Sequence, residues 1–118
     1  MNIKSKASEG KILIIGGGGY TGSKLAASLC TQGQKVRVFD AFWFGNHFSE
    51  EDDIEIVRGD IRIDALPLEG VSTVFHLANV ANDPGVDLAP LLSWETNVLA
   101  SVSIAEQCSK AGVKRLVF

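Results

Sequence analysis

The chain has 118 residues, 46% of them hydrophobic, with a formal net charge of −3, enough apolar content for one cored domain of ordinary size. It has no basic run to meet nucleic acid or an anionic membrane surface and no apolar stretch near the ~20 residues of a membrane span, so neither partner is expected. The two cysteines, Cys30 and Cys108, are too few for a secreted disulfide framework and read as buried, reduced thiols of a cytoplasmic protein.

Residues 1–10 are polar, carry Lys4 and Lys6 without an apolar segment behind them, and read as a flexible tail rather than a signal peptide. Lys11–Ile15 follows as a first strand. Its β-branched apolar run suits a parallel strand covered on both faces. Gly16-Gly-Gly-Gly19 comes next, then a helix from Tyr20 to about Gln32 that puts Leu25, Ala26, Leu29 and Cys30 on one face and stops at Gly33. Two glycine spacings fit the turn: Gly17-x-Gly19-x-x-Gly22 and Gly16-x-x-Gly19-x-x-Gly22. In either, the first glycine permits a tight turn, Gly19 lets a ligand approach the backbone, and Gly22 lets the helix lie close to the strand. Unpaired N–H groups and the helix dipole then favour a pyrophosphate, although a glycine-rich turn with no ligand has the same local pattern.

Val36–Phe39 is a second strand, and Asp40 ends it about 20 residues beyond the loop, where two ribose hydroxyls need acceptors. The bland alternative is a solvated turn carboxylate. The charge would repel a 2′-phosphate, and Ala41 and Phe42 rather than a base follow it, so NAD is preferred to NADP. The aromatic loop Phe42–Phe48 reads as a satellite cluster, or as packing beneath the adenine side of the cofactor or beneath a loop absent from this chain. Glu50–Asp53 reads as solvated surface, and His47 has no partner at ligand spacing. Ile54–Val57 is a third strand, followed by Gly59-Asp60-Ile61-Arg62, in which Asp60 is either an acceptor for the adenine amine or a plain turn acid.

After a turn at Pro67–Gly70, Thr73–Leu77 forms a fourth strand ending in Ala78-Asn79, small enough for a cofactor to cross the strand end. His76 reads as a packed core histidine rather than a catalyst. Asn82–Gly85 is a loop, and a long helix then runs from about Ala89 to Ala111, with Pro90 in its first turn and Gly112 as its stop. Regular spacing turns Leu91, Trp94, Val98, Val102, Ala105 and Cys108 toward the sheet and Leu92, Leu99 and Ile104 elsewhere. Two apolar faces imply a covering segment or a homodimer contact through residues 89–111. Asn97, polar within this stretch, needs a partner and is expected to reach the site. Val113–Phe118 begins a fifth strand. The alternation predicts an α/β, three-layer, doubly wound parallel sheet of order 3-2-1-4-5, a Rossmann arrangement over residues 11–118 with its crevice between strands one and four.

Five blocks in this order, Gly16-x-x-Gly19-x-x-Gly22, Asp40, Gly59-Asp60-Ile61, His76-Leu77-Ala78-Asn79 and Asn97-Val98-Leu99-Ala100, resemble the N-terminal part of the extended short-chain dehydrogenase/reductases, the NAD-dependent sugar epimerase/dehydratase family. The resemblance selects the Gly16 spacing. It implies Tyr20, Thr21 and Gly22 around the pyrophosphate, Asp60 and Ile61 at the adenine, and Leu77, Ala78 and Asn79 along the cofactor. Ile15, Asn79 and Ala100 depart from the usual Thr, Ala and Gly of that family. It also implies catalysis by a Tyr-x-x-x-Lys pair placed after the fifth strand, and a nucleotide-sugar substrate for the full-length parent, an epimerase, dehydratase or reductase. Within this chain that spacing occurs only as Tyr20 and Lys24, on the phosphate-loop helix. No catalytic residue is therefore assigned and the chain alone is expected to be inactive. The competing readings are a stand-alone NAD-binding regulatory module and a non-catalytic interaction protein, against which the His-Leu-Ala and Asn-Val blocks argue.

Overall fold

A computed structural model describes residues 10–43, 45–46, 48–49, 53–78 and 90–118, leaving aside the side chains of 92, 93, 95 and 96. The expectations for the tail at 1–9, Phe44, His47, the acids at 50–52, Asn79, the 82–85 loop and the helix start at 89 lie outside the described residues. Five strands, β1 (Lys11–Ile15), β2 (Val36–Asp40), β3 (Ile54–Arg58), β4 (Val71–His76) and β5 (Arg115–Val117), form one sheet of order β3-β2-β1-β4-β5. Every pairing is parallel, with Ile15 opposite both Phe39 and His76, and Asp40 opposite Arg58. The order and the Rossmann architecture are those expected from the alternation of strand and helix.

The core has two halves because successive strand side chains point to opposite faces. Leu13, Ile15, Phe39 and Val74 pack on one face with Ile104 and Cys108. Ile14, Val36 and Val38 pack on the other with Ala26 and Phe42. Helix α1 (Tyr20–Thr31) covers this second face through Ala26, with Leu25 and Leu29 half-buried beside it, as its spacing predicts. β2 is buried over Val36–Phe39 and β1 over Leu13–Ile15, β4 is buried at Val71, Val74 and His76, and the edge strands β3 and β5 have no buried residue.

The long C-terminal helix departs from expectation. It is three pieces: α2 (Pro90–Trp94), a π-helical segment (Glu95–Leu99) and α3 (Ala100–Ala111). A π turn takes in one more residue than an α turn, which rotates everything beyond it by about 100°. The buried stripe is accordingly Ala100, Ile104 and Cys108. Of the residues expected to face the sheet only Cys108 does so. Leu91, Trp94, Val98 and Val102 are exposed, by 39% to 68%, and Ala105 is exposed as well. Cys30, expected to be buried, is half-buried, its thiol 3.5 Å from the Asp53 carbonyl.

Two polar ties hold the sheet to its surroundings. At the edge away from the strand C-termini, the buried Arg37 donates from Nε to Glu55 Oε2 at 2.8 Å and from Nη1 to the carbonyls of Pro67 and Glu69. The Arg37 hydrogen bond holds the Glu55 carboxyl below its ordinary range, against a smaller opposing effect of burial. At the other tie, Ser101 Oγ donates to the Asn97 carbonyl at 2.9 Å and lies 2.8 Å from His76 Nε2. The serine proton is thus committed, so His76 donates from Nε2 and leaves Nδ1 as an acceptor. That Nδ1 is buried without a partner among the described residues, and burial pushes the imidazole below its ordinary 6.5.

A pH dependence follows from His76. The unfolded chain takes up a proton near the ordinary value while the folded imidazole resists it, so stability falls as the pH drops below about 6.5 and levels off under the folded-state value. Urea midpoints between pH 7.5 and 5 should show this decline, and His76→Gln should flatten it. Glu55, depressed in the fold, adds its own loss only at lower pH, as its carboxylate is protonated.

Candidate functional site

The C-terminal ends of β1, β2, β3 and β4 surround a cleft of about 320 Å³. Its walls are extensions of the sheet ladder: Gly16 N–H donates to the Phe39 carbonyl, Leu77 N–H to Ile15 and Gly59 N–H to Asp40, at 2.8 to 3.0 Å. The loops leaving the strands are therefore fixed where they begin.

The glycine turn resolves the two possible spacings. Gly16 sits at φ +81°, and a Cβ there would come within 2.7 Å of the Ala78 nitrogen. A Cβ on Gly22 would lie 2.6 Å from the Gly17 Cα, backbone against backbone. Gly19 is different. Its φ of −77° suits any residue, and the nearest atom to an added Cβ is the Gly16 carbonyl oxygen at 3.5 Å. Gly16 and Gly22 thus close the turn, while Gly19 opens onto the cleft, which is the Gly16-x-x-Gly19-x-x-Gly22 arrangement. Helix α1 begins there with no side-chain cap and no acidic residue in its first turn, so its N–H groups and positive dipole end remain available to an anion.

Asp40 connects this turn to the opposite wall. Its Oδ2 accepts the Gly18 N–H at 2.9 Å and its Oδ1 accepts the Phe42 N–H at 2.6 Å. About two of the roughly four lone-pair sites of the carboxylate stay free for further donors. Phe42 has a left-handed backbone, φ +55°, and its buried ring lies under Gly18, whose added Cβ would meet it at 2.8 Å. Arg58 completes the corner, donating to the Ala41 carbonyl at 3.1 Å with its guanidinium 5.2 Å from the centre of the Phe42 ring. Trp43, more than half exposed, lines the cleft beside them.

The cleft brings together Gly16, Gly19, Tyr20, Thr21, Gly22, Asp40, Asp60, Ile61, Leu77 and Ala78, all singled out from the sequence. Asn79 lies outside the described residues. Asn97 does not line the cleft: it is half-buried on the π-helical segment, its carbonyl taken by Ser101. Tyr20 stands at the rim, 77% exposed, with Lys24 Nζ donating to its hydroxyl at 2.8 Å. The pair lies on the solvent side of α1, as its position on the wrong element implies.

Sequence reasoning missed the structural part of the aromatic loop. Phe42 is core, Phe48 leans on the same cluster, and Trp43 belongs to the cleft. No local signal marks a phenylalanine for positive φ. Arg58 was within reach, because pairing β2 with β3 from their C-terminal ends sets it opposite Asp40.

The glycines should separate by mutation. Gly22→Ala, which forces the turn open, is expected to cost about 2–4 kcal/mol in urea unfolding, whereas Gly19→Ala should change stability by no more than about 0.5 kcal/mol.

The family model of the NAD dependent epimerase/dehydratase family matches residues 12–118. The UDP-glucose 4-epimerase of Lactobacillus helveticus is 32% identical over 113 residues, covering 92% of this chain and 34% of that protein. Among solved structures, the UDP-glucose 4-epimerase of Thermus thermophilus in complex with NAD superposes with a TM-score of 0.78 at 28% identity, over 92% of this chain and 36% of the other. The UDP-N-acetylglucosamine 4-epimerase of Methanobrevibacter ruminantium, in complex with UDP-N-acetylmuramic acid, gives a TM-score of 0.82 at 26% identity, over 93% and 37%. The chain thus spans about a third of the length of these relatives. With the cleft, the glycine turn and the sheet order in agreement, the chain belongs to the NAD-dependent epimerase/dehydratase family.

Proposed function

We propose that residues 11–118 are the NAD-binding portion of a nucleotide-sugar epimerase or dehydratase. The observation that carries this reading is the Asp40 carboxylate, tied to the glycine turn through Gly18 and still offering acceptor sites at the cleft. The residues fit a dinucleotide. Gly19 leaves room for a pyrophosphate above an uncapped helix N-terminus, Asp40 accepts the ribose hydroxyls, Asp60 and Ile61 border the adenine, and Leu77 and Ala78 follow the remainder of the cofactor. A bound nicotinamide dinucleotide supplies a hydride acceptor and donor. This chain's own contribution is to bind and orient it. The adenosine ribose beside Asp40 sets the preference for NAD, since a 2′-phosphate would face a carboxylate. Among the described residues no Arg or Lys lines the cleft to receive such a phosphate, the Arg58 guanidinium being directed at the Ala41 carbonyl and the Phe42 ring.

The chain alone is proposed to be inactive, since Tyr20 and Lys24 hydrogen-bond to each other at the rim, and its setting is proposed to be cytoplasmic. No helix among the described residues is long and apolar enough to cross a membrane. The stand-alone regulatory module is not favoured, because the match to the epimerase/dehydratase family runs through the His-Leu-Ala and Asn-Val blocks to residue 118.

Calorimetric titration should show NAD binding more tightly than NADP, and Asp40→Ala should weaken NAD and narrow the difference. Gly19→Val should fold and fail to bind. Equal affinities for NAD and NADP in the unaltered chain, or normal NAD binding by Gly19→Val, would refute the reading. The purified chain should show no hydride transfer.

The exposed apolar side chains of Trp94, Val98, Leu99 and Val102 are proposed to join two copies through the helix at 89–111. Sedimentation should give a dimer that Val102→Asp converts to monomer.

A further inference from the structure

Asp60 stands on the cleft wall with 23% of its side chain exposed, and the residue two places on clamps it. Oδ1 accepts the Arg62 backbone N–H at 2.9 Å and its Nε at 3.0 Å, while Oδ2 accepts Nη2 at 2.6 Å and shares Nε at 3.1 Å. An ionised carboxylate has about four lone-pair sites, so this clamp fills Oδ1 and leaves one site, on Oδ2. The turn beneath is fixed as well. Asp64 Oδ2 accepts the Asp60 N–H at 2.8 Å, and the N–H groups of Ile63 and Asp64 return to the Asp60 carbonyl. Rotating the carboxyl group breaks the planar fork, and protonating it opposes the charge: the Arg62 hydrogen bond holds the Asp60 carboxyl below its ordinary range, against a smaller effect of burial. Asp60 is therefore an oriented, acceptor-only group.

We propose that Arg62 is a positioning residue that makes the cleft select a 6-amino purine over a 6-oxo purine. The inference rests on the reading that the cleft takes the adenosine half of a dinucleotide. The exocyclic amine of adenine donates to the remaining Oδ2 site, whereas the carbonyl of hypoxanthine would bring one acceptor against another and leave both without a donor. Arg62 borders the neighbouring groove beside Glu106 and Lys110 rather than the cleft itself. It acts through Asp60. Without the guanidinium the carboxyl group is released to rotate, to hydrate or to carry a proton, and in those forms it no longer rejects a carbonyl.

The test is calorimetric titration of the whole chain with NAD and with nicotinamide hypoxanthine dinucleotide. The unaltered chain should prefer NAD by about tenfold, the worth of one hydrogen bond to a charged group. Arg62→Gln should bind the hypoxanthine dinucleotide as before and lose most of that preference. Arg62→Lys, which keeps the charge without the fork, should recover part of it, and it provides the comparison if the glutamine variant folds poorly. Asp60→Asn, with an amide donor in the same place, should abolish or reverse the preference. An undiminished preference in Arg62→Gln or in Asp60→Asn overturns the inference, as does parallel weakening of both dinucleotides, the signature of a merely structural role. Equal binding of the two by the unaltered chain overturns the inference alone. Binding of neither overturns the cofactor reading and the inference with it.

Discussion

One carboxylate joins the two loops on which the cleft depends. Asp40 sits at the last position of β2, and its oxygens receive an N–H from the glycine turn after β1 and another from the loop after β2. These loops have no backbone hydrogen bond to each other among the described turn contacts, so the side chain supplies the tie that the sheet supplies further down. Hydrogen bonds to a charged acceptor are roughly twice as strong as neutral ones. The arrangement also explains why Gly18 is small, since it must come close to Asp40 and to the ring of Phe42, whose backbone is left-handed and whose N–H meets the carboxylate. Arg58, across the β2–β3 ladder, takes up the Ala41 carbonyl and covers the ring. The shape of the cleft and the hold on its loops thus reside in the same few atoms.

Asp60, at the end of β3, is handled in a different way. Where Asp40 is held by backbone donors from two separate loops, Asp60 is held by the backbone N–H and the guanidinium of a single residue two places away. The first arrangement leaves acceptor sites on a carboxylate that cannot move without opening the turn. The second fills most of the carboxylate and leaves a defined remainder. Both acids border the same cleft, yet one keeps about two acceptor sites and the other a single one.

The C-terminal helix shows how an insertion within an element can redistribute its surface. The π-helical segment at Glu95–Leu99 separates α3, whose Ala100, Ile104 and Cys108 reach the core, from α2, whose Leu91 and Trp94 are exposed. The His76–Ser101–Asn97 chain of hydrogen bonds crosses this junction, anchoring the end of β4 to the first turn of α3 and to the π-helical segment. Leu77 and Ala78, which line the cleft, directly follow His76. The packing of the helix and the position of the cleft wall are therefore linked through one buried imidazole.

Strand order, the glycine turn, the place of Asp40 and the two helix stops at Gly33 and Gly112 were legible in the sequence, because each depends on local chemistry: an apolar run, a missing Cβ, or a charge at a strand end. The cleft residues from Gly16 to Ala78 followed for the same reason, since in a parallel sheet the functional loops leave the same ends of the strands. The helical face at 89–111 was not legible. A regular period assumes 3.6 residues per turn, and one wider turn shifts every later residue while leaving the composition unchanged. The same limit applies to the hold of Arg37 on Glu55, Pro67 and Glu69 and to Arg58 over Phe42. These partners are 16 to 32 residues apart and meet only once strand register is set. Asp60 and Arg62 are near neighbours in sequence, but whether Arg62 fills the acceptor sites of Asp60 depends on the turn that Asp64 closes. The sequence by itself thus determined what depends on backbone freedom and hydrophobic period, while the tertiary structure decided which polar groups are already spent and which still face the cleft, because that depends on hydrogen-bond geometry between segments the chain brings together only on folding.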